Sequence, residues 1–287
     1  MKPFIVVSLF DGISCGRIAL EKAGIPVAKY YACEIKPDAI KITMSNYPDT
    51  IQLGDVRKIN FAEVIGGGCN LLIGGSPCQD LSQAHSQRLG LKGNKSSLFW
   101  EYVRALNELK PDYFLLENVE MPSEDYETIS QTLGIYPINI NSELVSAQMR
   151  NRYYWTNIGD KYYNLFGFPT CAIPQPENKK IYLQDILTSG YADRLKARCL
   201  LESDSRPLRT IDKMLHRYFS TGFTTLVFEE ENNKYSARCL NQTELERCQT
   251  LPEGYTRVLN RDKAAGCIGD AWTVDVITHI FKQIEEK

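Results

Sequence analysis

The chain has 287 residues, 43% apolar and 24% charged, with a formal net charge of −2; this allows one large domain or two small ones with a core that needs no staples. The charge excludes a uniformly basic nucleic-acid coat but not a local basic cleft, because association follows the local field. No apolar run approaches the ~20 residues of a membrane span, and the start Met1-Lys2-Pro3-Phe4 lacks a signal-peptide layout. Nine scattered cysteines without a CxxC pair argue against a disulfide framework or a zinc site and for a reducing, cytoplasmic setting.

In chain order, Phe4 to Phe10 reads as a buried strand, and Asp11-Gly12 as a turn. The spacing of Ile13, Ile18, Ala19, Leu20 and Ala23 predicts a helix that Gly24 closes. Val27 to Ile35 is a second strand carrying Glu34 near its end, and Pro37 to Met44 a second helix. Asn70 to Ile73 is a strand broken by Gly74-Gly75; Leu98 to Leu109 is a helix stopped by Pro111; Tyr113 to Leu116 is a strand ending in Glu117. Ile135 to Ile140 and Arg152 to Ile158 are two further strands. The alternation predicts an α/β fold with a mostly parallel sheet. Ligands of such sheets bind beyond the carboxyl ends of the strands, where Asp11-Gly12, Glu34, Gly54-Asp55, Gly74-Gly75 and Glu117-Asn118 fall.

The character changes after about residue 166, where Pro169, Pro174 and Pro176 suggest a linker and residues 179–240 show weaker periodicity. Residues 190–217 carry a net charge of +3. Helical patterning returns at Gln242 to Cys248 and Ala271 to Phe281.

Four groups of residues suggest chemistry. Gly12 follows a strand, where a glycine lets backbone approach a ligand, and Glu34 lies 22 residues further on, where a carboxylate can accept from both ribose hydroxyls of an adenosine. Asp55 is a candidate for the adenine edge; a tight turn with two surface acids is the plain alternative. Cys78 lies in Gly75-Ser76-Pro77-Cys78-Gln79, a setting unlike a packed core, and a loop thiol can be a covalent nucleophile. A carboxyl just past an apolar strand, the place of Glu117, can be partly desolvated, which favours a proton-donating role; a helix-cap acid is the plain alternative. Arg150 and Arg152 stand at i and i+2, so in a strand they point the same way, suited to a phosphate or a polarised carbonyl; an exposed strand edge carrying solvated charges is the plain alternative.

Together, Phe10-Asp11-Gly12, Glu34, Asp55, Ser76-Pro77-Cys78-Gln79, Glu117-Asn118-Val119 and Gln148-x-Arg150-x-Arg152 resemble, in order and rough spacing, the motifs of DNA cytosine-C5 methyltransferases. Arg238-Cys239-Leu240-Asn241 through Glu244 to Pro252 resembles the family's penultimate motif, RxLTxxExxRLQGFP, and Gly269-Asp270-Ala271-Trp272 its closing GNSx motif. The chain departs at Asp270, where Asn is common, and at Cys248-Gln249-Thr250-Leu251-Pro252. Ser8 to Ile13, Gly54 to Arg57, Gly74 to Cys78 and Trp272 look most like the animal de novo DNA methyltransferases. The absence of their regulatory domains points to a free-standing prokaryotic or phage enzyme.

The resemblance implies a Rossmann-like, class I S-adenosylmethionine-dependent methyltransferase sheet with a small inserted target-recognition region: residues 1–165 and 236–287 catalytic, 166–235 variable. It implies Cys78 as the thiolate that adds to cytosine C6, Glu117 as the group on N3, Asn118 as its support, Arg152 on O2 and Arg150 supporting the site. Phe10, Asp11, Gly12, Ile13, Ser14, Cys15, Glu34, Ile35, Asp55, Val56, Gly75, Pro77, Leu98, Asp270, Ala271 and Trp272 would line S-adenosylmethionine, with no metal. The partner would be double-stranded DNA with the target base flipped out, with a monomer on DNA as the default. Ser82, Arg88 and Lys92, on a loop with no acid from 81 to 95, and Arg206, Arg209, Lys213 and Arg217 are candidates for DNA contact; a solvated basic face is the plain alternative. A tRNA methyltransferase, whose Cys-Phe-Thr motif is absent here, and an inactive DNA-binding homologue, which typically loses residues this chain keeps, are the other readings.

Overall fold

Residues 1–76, 98–165, 167–222, 224–231 and 234–285 are described in a computed structural model. The alternating pattern of the first half becomes β1 Phe4–Leu9, α1 Cys15–Ala23, β2 Val27–Cys33, α2 Pro37–Asn46, β3 Ile51–Gln52, α3 Phe61–Ile65, β4 Leu71–Gly75, α4 Leu98–Leu109, β5 Tyr113–Asn118, α5 Ser123–Leu133, β6 Ile138–Asn141 and β7 Asn151–Thr156. These strands form one seven-stranded sheet in the order β3-β2-β1-β4-β5-β7-β6. The first five in that order pair in parallel, and β7 runs antiparallel to both β5 and β6. Successive residues of the central strands (Val6 and Val7, Leu71 to Ile73, Leu115 and Leu116) are all buried, as expected where both sheet faces are covered.

Two boundaries move for local reasons. The helix expected from Ile13 begins at Cys15 because Ser14 is left-handed, φ 58°, and cannot join a right-handed turn. The strand expected from Ile135 begins at Ile138, after Pro137, which has no N–H to give a ladder.

The second half holds β8 Lys161–Tyr163, β9 Pro169–Cys171, α6 Leu183–Ile186, α7 Ile211–Thr221, β10 Val227–Glu231, β11 Lys234–Arg238, α8 Gln242–Cys248, α9 Arg261–Asp270 and α10 Val274–Phe281. Only the start of the expected linker is regular: Pro169–Cys171 pairs antiparallel with β8, and Pro169 opens its strand, a position where a missing N–H is tolerated, while Pro174 and Pro176 lie in irregular chain before α6. β10 and β11 form a second hairpin. α10 returns to pack along α1, burying Ile277, Ile280 and Phe281, so the C-terminal segment belongs to the core that the first strands begin. Among the described residues no helix is long and apolar enough to cross a membrane.

Candidate active site

The loops that leave β1, β2 and β3 lie beside the end of β4, because those strands are neighbours in the order β3-β2-β1-β4. This brings Phe10 to Cys15, Glu34 and Ile35, Asp55 and Val56, and Gly75 to one edge of the sheet. The loop after β1 is shaped by left-handed residues at Phe10, Gly12 and Ser14 (φ 56°, 61° and 58°); positive φ is uncommon outside glycine and concentrates at functional sites. Glu34 holds the loop: Oε2 accepts from Gly12 N–H at 2.8 Å, and Oε1 from the N–H groups of Ile35 and Lys36 at 2.7 and 2.8 Å. A carboxylate oxygen has two lone-pair sites, so Oε2 keeps one acceptor position. Asp11 is taken up internally, accepting from Ser14 Oγ at 2.5 Å and Tyr30 OH at 2.7 Å. Loss of solvation raises its carboxyl above the usual carboxylate range, against the pull of the Ser14, Ser8 and Tyr30 hydrogen bonds.

Two expected ligand carboxylates carry ion pairs. Asp55 accepts from Arg57 Nε at 3.0 Å and Nη2 at 2.6 Å, and those contacts, with the Arg57 N–H, hold its carboxyl down at about 2. Asp270, at the end of α9, meets Lys36 Nζ at 2.6 Å. Val56 and Ala271 are buried, Ile35 is exposed, and Leu98 is the first residue of α4.

On the other side of β4, Glu117 and Asn118 end β5 and are buried. Glu117 is gripped at both oxygens: Arg152 Nε stands 2.9 Å from Oε1, and the Trp272 indole N–H donates to Oε2 at 3.0 Å. The fit depends on Gly75, the register partner of Glu117, because a Cβ there would lie 2.8 Å from Glu117 Oε2 and 2.9 Å from Trp272 Nε1. Asn118 Nδ2 donates to Ser76 Oγ at 3.0 Å, tying β5 to the start of the segment that carries Cys78. Cys78 lies outside the described residues, with Pro77, Ser82, Arg88 and Lys92.

The paired arginines converge on one sulfur, although Arg150 lies just before β7 rather than in it. Arg150 Nη1 and Arg152 Nη2 both approach Cys199 Sγ, at 3.4 and 3.7 Å. Arg150 is buried and spends its guanidinium on the Leu200 and Gly269 carbonyls, at 3.0 and 3.2 Å, so it joins the 199–200 segment to α9. Cys199 is the residue the sequence did not single out. Burial pushes its thiol up, but Arg150 and Arg152 outweigh that and hold it below the usual thiol range.

A second unexpected hub is Gln249. Its Nε2 donates to the Ile268 and Ala271 carbonyls at 2.9 and 3.0 Å, and its Oε1 accepts from Gln148 Nε2 at 2.8 Å and Thr273 Oγ1 at 2.7 Å. Of the basic residues expected at DNA, Arg206 and Arg217 line one concavity with Arg198 and Arg261. Arg206 pairs with Glu202 at 3.2 Å and Arg209 with Asp262 at 2.7 Å, while Lys213 is on α7. Among the described residues no group of His, Cys, Asp and Glu is arranged to hold a metal ion.

A mostly parallel sheet with loop-borne acids along one edge, in which β7 alone runs against its neighbours, defines a methyltransferase-like α/β protein, and comparison with known proteins makes this specific. The model of the C-5 cytosine-specific DNA methylase family matches residues 4–203 and 188–286, and the chain belongs to that family. It is similar to the Type II methyltransferase M.NgoBV of Neisseria gonorrhoeae, 33% identical over 139 residues, which is 47% of this chain and 32% of that relative. It is also similar to the Type II methyltransferase M1.ScrFI of Lactococcus lactis subsp. cremoris, 26% identical over 312 residues, covering 98% of this chain and 78% of the relative. The chain therefore spans about a third of the first relative and most of the second. The fold is that of the Entamoeba histolytica methyltransferase EhMeth, with a TM-score of 0.73 at 15% identity over 99% of this chain and 98% of that one.

Proposed function

We propose that this protein transfers a methyl group from S-adenosylmethionine to C5 of a cytosine extruded from double-stranded DNA. The observation that carries the reading is the Glu117 carboxylate at the end of β5, clamped by Arg152 and Trp272 beside Gly75, in a chain of this family. Cytosine C5 is a poor nucleophile; a thiolate bonded to C6 makes it enamine-like. Cys78 is the residue we assign to that bond. Glu117 holds and protonates N3, where negative charge otherwise accumulates. Arg152 binds O2; its contact to Cys199, at 3.7 Å, is a long one that costs little to give up. Asn118 supports Glu117 and the cysteine segment through Ser76.

S-adenosylmethionine would supply the electrophilic methyl group. The residues present fit it: Glu34 Oε2 has an acceptor position for a ribose hydroxyl, and the space where a Cβ of Gly12 would stand is open. Asp55 and Asp270 reach the same ligand only by loosening exposed ion pairs to Arg57 and Lys36, and such pairs are worth little. Residues 166–235 are assigned to target recognition and 1–165 with 236–287 to catalysis. Arg206, Arg209, Lys213 and Arg217, with Ser82, Arg88 and Lys92, are assigned to DNA; the exposed pairs of Arg206 and Arg209 cost little to exchange for phosphate.

Bisulfite sequencing of DNA from cells expressing the protein tests this directly. Methylated cytosines in a fixed sequence context are expected, and Cys78→Ala is expected to abolish them while purified protein still binds S-adenosylmethionine. An unmethylated genome in cells that accumulate folded wild-type protein, or normal methylation by the variant, contradicts the reading.

A further inference from the structure

Trp272 stands at a junction that its expected role as a cofactor-lining residue does not use. Its indole N–H points at Glu117 Oε2, 3.0 Å away, on the base side of the cleft. An indole N–H is a donor only, so it can orient a carboxylate but cannot exchange a proton with it. Arg152 alone, through Nε on Oε1 at 2.9 Å, would leave the carboxylate free to turn about its last side-chain bond. A second donor on the other oxygen fixes that rotation.

The indole is itself fixed. Both chain neighbours of Trp272 are tied to one buried side chain: Gln249 donates to the Ala271 carbonyl at 3.0 Å and accepts from the Thr273 hydroxyl at 2.7 Å. Gly75 completes the arrangement, since a Cβ there would crowd both the indole nitrogen and the carboxylate oxygen.

We infer that Trp272 is a positioning residue for Glu117, so that the segment closing the cofactor side of the cleft also sets the geometry of the acid that meets the base. The inference rests on the methyl-transfer reading and deepens it. Trp272→Phe keeps an aromatic ring for packing and removes only the donor. With methyl transfer measured on duplex DNA, kcat falls by about ten-fold or more, the size expected for a hydrogen bond to a charged group, while the S-adenosylmethionine Kd and the DNA KM stay within about two-fold of wild type. In single-turnover reactions with excess enzyme, Trp272→Phe adds no further loss to Glu117→Ala, because no carboxylate remains to be oriented.

Gly75→Ala, which keeps the indole but crowds the contact, shows the same loss in kcat and carries the test should the Phe variant melt early. An unchanged kcat, a loss that tracks a rise in cofactor Kd, or full additivity with Glu117→Ala overturns the inference. A wild-type protein that methylates nothing overturns the methyl-transfer reading itself, and is recognised before any variant is made.

Discussion

Cysteine chemistry in this chain is decided by which charges a sulfur meets. Burial pushes the thiols of Cys15, Cys33 and Cys69 up to about 12, which leaves them unreactive near neutral pH. Cys199 is also desolvated, yet two guanidinium groups lie within 3.7 Å of its sulfur and hold it below the usual range. Iodoacetamide at neutral pH is therefore expected to alkylate Cys199, read in the tryptic peptide 199–209, faster than Cys15, Cys33 or Cys69. Equal or slower labelling of Cys199 contradicts the account of its charge environment. At this scale the sequence marks out residues by their near neighbours: Glu117 follows an apolar run, and Arg150 and Arg152 stand two apart, although Arg150 lies just before β7. It does not announce partners brought by folding. Cys199 lies 47 residues beyond Arg152, and Trp272 lies 155 beyond Glu117; nothing local to either marks the contact.

The penultimate motif is an element held by its own polar residues. Arg238 forms a two-pronged pair with Glu244, Nη1 to Oε2 at 2.7 Å and Nη2 to Oε1 at 2.9 Å. Glu244 also accepts from Asn241 N–H at 2.8 Å, while Asn241 Oδ1 accepts from Glu244 N–H at 3.0 Å, closing a capping box on α8. Burial pushes the Glu244 carboxyl up, but Arg238 and the surrounding amides hold it below the usual carboxylate range. A depressed carboxyl stabilises the fold fully above its unfolded value, about 4.3, and loses that contribution as pH falls through the lower folded value. Glu244→Gln is expected to cost on the order of 3 kcal/mol at neutral pH, seen as a Tm lower by several degrees, with the gap narrowing below about pH 4. A gap that is absent, or that widens in acid, contradicts this. The departure at Thr250 has a physical account: it takes a left-handed φ of 53° where the family pattern has glycine, and its hydroxyl accepts from Asp275 N–H at 2.9 Å at the start of α10. Elements rich in apolar spacing, such as α4 and α10, were legible in the sequence. α5 and α9 were not, because α5 buries only Asp125, Ile129 and Ser130, and α9 turns small residues such as Ala264, Ala265 and Gly266 inward rather than a stripe of large ones.

Over the whole molecule, the strand order does the work of assembly. Placing β1 between β2 and β4, and β5 between β4 and β7, gathers the ends of four parallel strands, and β7 brings Arg152 antiparallel to the strand that ends in Glu117 and Asn118. The alternating pattern made the parallel half of this sheet legible; the antiparallel closure by β7 and the two hairpins of the second half depend on pairings that short strands do not advertise. The central claim is that one sulfur, Cys78, bonds to an extruded cytosine in the cleft that Glu117 lines. The most direct measurement is covalent trapping on duplex DNA in which the methylated cytosine is replaced by 5-fluorocytosine, with S-adenosylmethionine present; fluorine at C5 blocks the proton loss that releases the enzyme. The account predicts a denaturant-resistant protein–DNA adduct whose cross-linked peptide contains Cys78 and which Cys78→Ala does not form. An active preparation that methylates the normal site yet forms no adduct, or one linked through a different residue, contradicts it.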